Sequence, residues 1–351
     1  MIPIPFRKQK TDYKRGNYIE TKNVIAIYFD GTWNTVEYPD GYSNVKKIKD
    51  YVGEIQTFGN LKTIIHPIYS EGPGTRPQTK ILGGLFAYDL PAILEEAYTW
   101  LAKLYYKLAK QAHAPEIYLF GFSRGSYLAH VFSWILNDVG ITSNYPLIPS
   151  LIDSYMKKNP KKMEQLKKEI DLKEVFMPVV RMMGLWDMVR APVDRYRHFY
   201  EGERAPIVQS VYHAMSLDEN RLMFPVLKYK GDDTKVEQCW FSGVHSDIGG
   251  GYKDTVLSDI TLNWMIRNAE KEGLIIRGTS AADEATQNSE AFLHMEKHNE
   301  SGPLNRIATW GGRKRLYEGE HIDESVYRRM KQDQSYHPFA KNFPDKKADY
   351  V

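Results

Sequence analysis

The residues most able to do chemistry begin at Gly121-Phe122-Ser123-Arg124-Gly125. A serine with glycine two positions away on either side, between an apolar run and a helix-like stretch, fits a tight strand-to-helix turn that lifts the hydroxyl clear of the chain. Glycine is required at both flanks because a side chain there would meet the neighbouring strand or helix. The amides and dipole of the following helix would favour negative charge developing beside the hydroxyl. A serine hydroxyl is a weak nucleophile, so it needs a base, and the base needs an acid to orient it. Asp187 and His245 each close a strand-like run, and they follow Ser123 in the order serine, acid, base. The chemistry implied is attack on an ester carbonyl through a covalent acyl intermediate. The competing reading is a plain turn with an N-capping serine.

The other titratable residues are weaker candidates. His213, in Val211-Tyr212-His213-Ala214, reads as entering a helix and as a support to the site. His66 interrupts an apolar strand, where a satisfied core histidine is expected. His113, His198, His294, His298, His321 and His337 lie in polar or helical segments. Asp194 is the reserve acid. Asp247 stands too close to His245 in sequence to reach behind its ring, so it is expected to organise the Gly249-Gly250-Gly251 loop. A developing oxyanion needs two preorganised N–H donors. The expected donors are the amide of Arg124 and that of Gly31 or Thr32, in the loop Asp30-Gly31-Thr32-Trp33. A carboxylate aimed at an oxyanion would oppose the reaction, so Asp30 is expected to turn away and brace that loop.

These residues need elements to position them. Val24 to Phe29 and Ile117 to Phe120 are short runs rich in β-branched and aromatic residues, the pattern of strands buried on both faces. Thr63 to Tyr69, Pro178 to Trp186 and Glu237 to Val244 read as further strands. Residues 90–111 carry leucines near helical spacing, and Tyr127 to Leu136 continues the pattern after the serine turn. Strands alternating with helices predict an α/β fold with a mostly parallel central sheet flanked by helices. The expected domain is single, residues 22–351, behind an N-terminal extension of residues 1–21. Residues 141–175 are predicted to be a helical insertion over the sheet, a candidate lid, and residues 278–302 a mobile loop.

Composition narrows the function. With 42% hydrophobic and 26% charged residues, the chain has enough apolar material for a large core. The net charge of +3 is too small, and its lysines too mixed with acids, for a nucleic-acid surface. Lys157, Lys158, Lys161, Lys162, Lys167 and Lys168 read as a solvated helix face. The lone Cys239 cannot form an internal disulfide and is expected to be buried. Phe29-Asp30-Gly31-Thr32 is not a two-aspartate phosphatase motif, because the first aspartate would fall at Tyr28. There is no P-loop string and no HExxH pair. His245, Asp247 and Asp30 lack tight ligand spacing, so neither a metal nor an organic cofactor is expected. Arg76 is expected to be a surface residue. The N-terminus lacks the apolar core of a signal peptide, and no apolar run approaches membrane-helix length. The expectation is a chain made in the cytoplasm, exported if at all by a route without a cleaved signal.

Five motifs in order carry a resemblance. IYFDGTWN at 27–34, GFSRGSYLAH at 121–130, GLWDMV at 184–189, YHAMSLDENR at 212–221 and WFSGVHSDIGGGY at 240–252 resemble a widespread family of uncharacterised α/β hydrolases of bacteria and fungi. That family includes the first family of type VI secretion lipase effectors, which are phospholipases. The resemblance covers roughly residues 22–270, and HIDESVYRRM near the C-terminus is also similar. It implies an α/β-hydrolase fold, a triad of Ser123, Asp187 and His245, and an ester or phospholipid substrate. The partners it implies are a membrane surface, an immunity protein and a secretion-system protein. The alternative is a catalytically silent fold that binds a ligand or another protein, against which an intact triad argues.

Overall fold

In the computed structural model, the described residues are 20–31, 41–72, 89–110, 114–170, 175–189, 202–221, 224–276 and 320–338, with single positions 298, 316, 340 and 343. An eight-stranded sheet forms the centre, with spatial order β10-β9-β8-β7-β4-β1-β3-β2. Its strands are β1 (Glu20–Phe29), β2 (Ile55–Phe58), β3 (Leu61–Ser70), β4 (Glu116–Phe122), β7 (Val180–Trp186), β8 (Val208–Ser216), β9 (Val236–Phe241) and β10 (His321–Ile322). All neighbours pair in parallel except the β2–β3 hairpin. The chain is thus an α/β fold of the hydrolase type, with helices on both faces of a mostly parallel sheet.

Parallel strands buried on both faces explain why the strand sequences read as continuous apolar runs. Along β1, Ile25, Ile27 and Phe29 face one core, while Val24, Ala26 and Tyr28 face the other. The first core is closed by α2 (Leu90–Ala109) and α3 (Arg124–Val139), the second by α1 (Asn44–Val52) and α7 (Val256–Lys271). Helix α3 is buried on nearly all sides, which is why its apolar residues do not form a single stripe. Tyr28, Phe120 and Trp186 line up across β1, β4 and β7, with ring centroids 5.3 and 6.5 Å apart. Burying an aromatic of this size contributes about 1.5–3 kcal/mol. At the far edge, α8 (Glu324–Gln332) and β10 cover β9 with a third small core around Trp240, Val326 and Tyr336.

Three differences from the sequence reading have physical causes. Residues 208–216 form strand β8, not the start of a helix, because parallel pairing to β7 and β9 supplies partners for its polar positions. Arg181 donates to Gln209 at 2.8 Å, for example. His245 does not end β9; it opens the short helix α6 (His245–Gly249), four residues past Phe241. The insertion begins and ends as a two-stranded ribbon, β5 (Ile141–Thr142) against β6 (Val175–Phe176), with α4 (Ile148–Met156) and α5 (Pro160–Glu169) between. Its ribbon lies one length of α3 from Ser123, about 24 Å at 1.5 Å per residue. The insertion is therefore rooted at the end of α3 farthest from Ser123.

The lysines at 157, 158, 161, 162, 167 and 168 are exposed, as expected, and Cys239 is buried. Among the described residues, no helix is long and apolar enough to cross a membrane. Thr32, Arg76, His113, Asp194, His198 and His294 lie outside the described residues, as do residues 1–19 and all of 278–302 except His298.

Candidate active site

Strand order reverses at β1, with β3 on one side of it and β4 on the other. Open α/β sheets hold their sites in the crevice beyond the C-terminal ends of such strands. Ser123 follows β4 there, Gly31 follows β1 and Asp187 follows β7.

Ser123 has φ 59° and ψ −124°, a conformation that costs an ordinary side chain about 1–3 kcal/mol. The surroundings hold it there. Its N–H donates to Trp186 O at 2.9 Å. Ser126 Oγ bridges Gly121 O and Trp186 O at 2.7 and 3.0 Å. The flanking glycines allow the close approach: a Cβ on Gly125 would stand 2.1 Å from Phe29 O, and one on Gly121 2.6 Å from Gly125 O.

Three side chains then join in a line. Ser123 Oγ lies 2.8 Å from His245 Nε2, and His245 Nδ1 lies 2.6 Å from Asp187 Oδ2. A carboxylate only accepts, so Nδ1 carries the proton and Nε2 is left to accept from the serine. All three are buried, Asp187 completely. Asp187 also has a positive φ, 45°, and its second oxygen accepts Ser216 N–H at 2.9 Å. His213 supports this turn. Met188 N–H donates to its Nε2 at 3.1 Å, so its Nδ1 carries the proton and faces Gln238 Oε1 at 3.3 Å.

The expected oxyanion loop differs in one respect. Asp30 does turn inward to brace it, accepting Ser43 Oγ at 2.6 Å and the Tyr69 hydroxyl. Its other oxygen also takes the Gly31 N–H, at 2.6 Å. The Gly31 amide is therefore directed at Asp30 and not at Ser123. Arg124 opens α3, where the first N–H groups have no acceptor within the helix. Burial lowers its guanidinium pKa to about 10 against the raising effect of Asp89, which leaves it charged at neutral pH.

Asp247 accepts Val244 N–H at 2.9 Å and meets His298 Nδ1 at 2.7 Å, capping the helix that His245 opens. The glycine loop after it is held mainly from elsewhere. Ser43 bridges to Gly250, and the two protons of Asn44 Nδ2 are shared among Ile248 O, Ser258 O and Thr261 Oγ1, all within 3.0 Å. Ser43 and Asn44 carry no motif that marks them in sequence. Nor does sequence alone give a role to Ser216, Asp218, Glu219 and Arg221, although they fall inside one of the five motifs.

Glu219 is fully buried beside His245. Burial raises its carboxyl pKa, but hydrogen bonds and charge from Arg221, with a smaller contribution from His245, outweigh this and hold it below 4.5. A carboxyl with a depressed folded-state pKa stabilises the fold above its unfolded value, and that stability is lost as pH falls through the folded value. Urea midpoints measured from pH 7 to pH 3 are expected to fall less steeply for Glu219→Gln than for the native chain; identical slopes would contradict this.

Residues 22–268 match the family of Tle1-like phospholipase effectors of type VI secretion, catalytic domain. The chain belongs to this family. An uncharacterised protein of Saccharomyces cerevisiae is 29% identical over 159 residues, covering 42% of this chain and 22% of the yeast protein. The structure of an uncharacterised protein from Pseudomonas aeruginosa aligns with a TM-score of 0.44 and 16% identity, covering 79% of this chain and 50% of the other. A Tle1 effector bound to the VgrG spike aligns with a TM-score of 0.39 and 19% identity, covering 70% and 56%. The chain thus spans about half the length of these solved relatives and about a fifth of the yeast one.

Proposed function

We propose that the chain is a serine esterase acting on lipid esters, with phospholipids as the favoured class. The observation that carries this reading is the continuous contact from Ser123 Oγ through His245 to Asp187. Ser123 attacks the ester carbonyl carbon while His245 Nε2 takes the hydroxyl proton. Asp187 holds the imidazole with its proton on Nδ1 and stabilises the imidazolium that forms. The tetrahedral oxyanion is met by the Arg124 amide, with Thr32 as the remaining candidate for the second donor. Collapse of the intermediate breaks the bond to the leaving alcohol, which receives the proton from His245. Water, deprotonated by the same imidazole, then attacks the acyl-serine and releases the fatty acid.

Among side chains, these steps use only Ser123, His245 and Asp187. Phospholipid as the substrate class, and delivery by a type VI secretion system, follow from the family description.

Labelling with a fluorophosphonate tests the reading directly. The native chain is expected to be labelled and Ser123→Ala is not. Hydrolysis of short p-nitrophenyl esters and release of fatty acid from phospholipid vesicles are then expected from the native chain. Absence of label from the folded native chain would favour a silent fold that binds without catalysing.

A further inference from the structure

The turn after β8, residues 216–221, touches every part of the acid–base pair. Ser216 N–H donates to Asp187 Oδ1, and Ser216 Oγ donates to Gly243 O at 2.9 Å while accepting Glu219 N–H at 3.2 Å. Asp218 exchanges two bonds with Gly243: its N–H donates to Gly243 O at 3.1 Å, and its Oδ2 accepts Gly243 N–H at 2.7 Å. Tyr336, from the C-terminal segment, donates its hydroxyl to the same carboxylate at 2.7 Å.

Glu219 sits at the centre of the turn. Its Oε2 accepts the backbone N–H of His245 at 3.2 Å. Arg221 grips both its oxygens, Nε on Oε1 at 2.9 Å and Nη2 on Oε2 at 2.8 Å, and the Arg221 backbone N–H adds a third bond at 2.8 Å. The same guanidinium lies 3.8 Å above the ring of Phe224, and the Phe224 ring meets the His245 ring edge-on at 5.0 Å. Phe122 closes the other side at 4.8 Å.

We propose that Glu219 and Arg221 form a positioning pair for His245, Glu219 fixing its backbone and Arg221 fixing its ring through Phe224. This rests on His245 being the general base. A planar, bidentate guanidinium suits both tasks, because one face stacks on the ring while its edge locks the carboxylate. It also pairs with the second carboxylate near the imidazole, Nη2 on Oε2 at 2.8 Å. Neither residue touches the reacting atoms. Their effect is on geometry, and geometry errors near an ångström can cost about a hundredfold in rate.

The test combines steady-state kinetics on a p-nitrophenyl ester with the low-field proton resonance of the His245 Nδ1–H, on the full chain. Glu219→Ala is expected to lower kcat by about a hundredfold, with KM within about twofold, and to broaden or lose the resonance. Glu219→Gln keeps the length of the side chain but sets its NH₂ against a donor, either Arg221 or the His245 N–H, so it should lower kcat by about tenfold, less than the alanine variant, and shift the resonance without losing it. Arg221→Lys, which cannot form the fork, should lower kcat by about tenfold. Native kcat and an unshifted resonance in folded Glu219→Ala would overturn the proposal. Should Glu219→Ala fail to fold, native kcat in both Glu219→Gln and Arg221→Lys would overturn it equally. If the native chain proves inert to esters and to fluorophosphonate, the esterase reading fails, while the response of the resonance to Glu219 still decides the positioning role.

Discussion

Ser123→Ala is expected to lower kcat for an activated ester by about 10⁴-fold or more, with little change in KM. The Oγ atom removed is the one 2.8 Å from His245 Nε2, and no other described serine lies against that nitrogen. Deleting it leaves the backbone of the turn supported as before, because Ser123 N–H still bonds Trp186 O and Ser126 still bridges Gly121 and Trp186. Alanine meets the same cost as serine at φ 59°, so the thermal midpoint should stay close to native. What remains of the rate would come from binding and oxyanion stabilisation without a nucleophile. The measurement is burst and steady-state kinetics on a p-nitrophenyl ester beside circular dichroism of both proteins. A folded variant that keeps its rate within tenfold would place the nucleophile elsewhere.

The serine turn was legible because its signal is local. An apolar strand, two glycines and a helix occupy one short stretch, and each is there for a steric reason the structure displays as approaches of 2.1 and 2.6 Å. The central strands were legible for a related cause, since burial on both faces demands unbroken apolar runs. Asp187 could be read because it directly follows such a run, whereas His245, expected to end one, opens α6 four residues beyond β9. Strand β8 could not, because Gln209, Ser210 and His213 interrupt its pattern, and distant groups such as Arg181, Met188 N–H and Gln238 satisfy Gln209 and His213. The direction of the Gly31 amide is set by a carboxylate one residue earlier, a choice that local propensity does not encode. Glu219 stands 26 positions before the amide it holds, and nothing in Leu217 to Arg221 announces a partner so distant. The resemblance marked that stretch as a motif but supplied no contact. Elements fixed by sterics and burial were thus readable in advance, whereas those fixed by single long-range hydrogen bonds needed the coordinates.

Asp187→Asn separates orientation from charge and is expected to be nearly as damaging as loss of the serine. In the native chain, both carboxylate oxygens accept: Oδ2 from His245 Nδ1 and Oδ1 from Ser216 N–H. Asparagine offers one oxygen and one NH₂ in their place. The Ser216 N–H belongs to the backbone of β8 and cannot become an acceptor, so the oxygen must remain there to avoid a buried clash of donors. That forces the NH₂ toward His245 Nδ1, which must then give up its proton and accept. The imidazole is left protonated on Nε2, the atom facing Ser123, and can no longer take the serine proton. The expected loss is about 10⁴-fold in kcat at neutral pH, with the fold retained because the Ser216 bond keeps its sense and the His245 bond survives reversed. Fluorophosphonate labelling should slow in parallel, since it draws on the same activated hydroxyl. A variant that is folded, labels at the native rate and turns over normally would remove Asp187 from the orienting role and would require another residue to hold the proton on Nδ1.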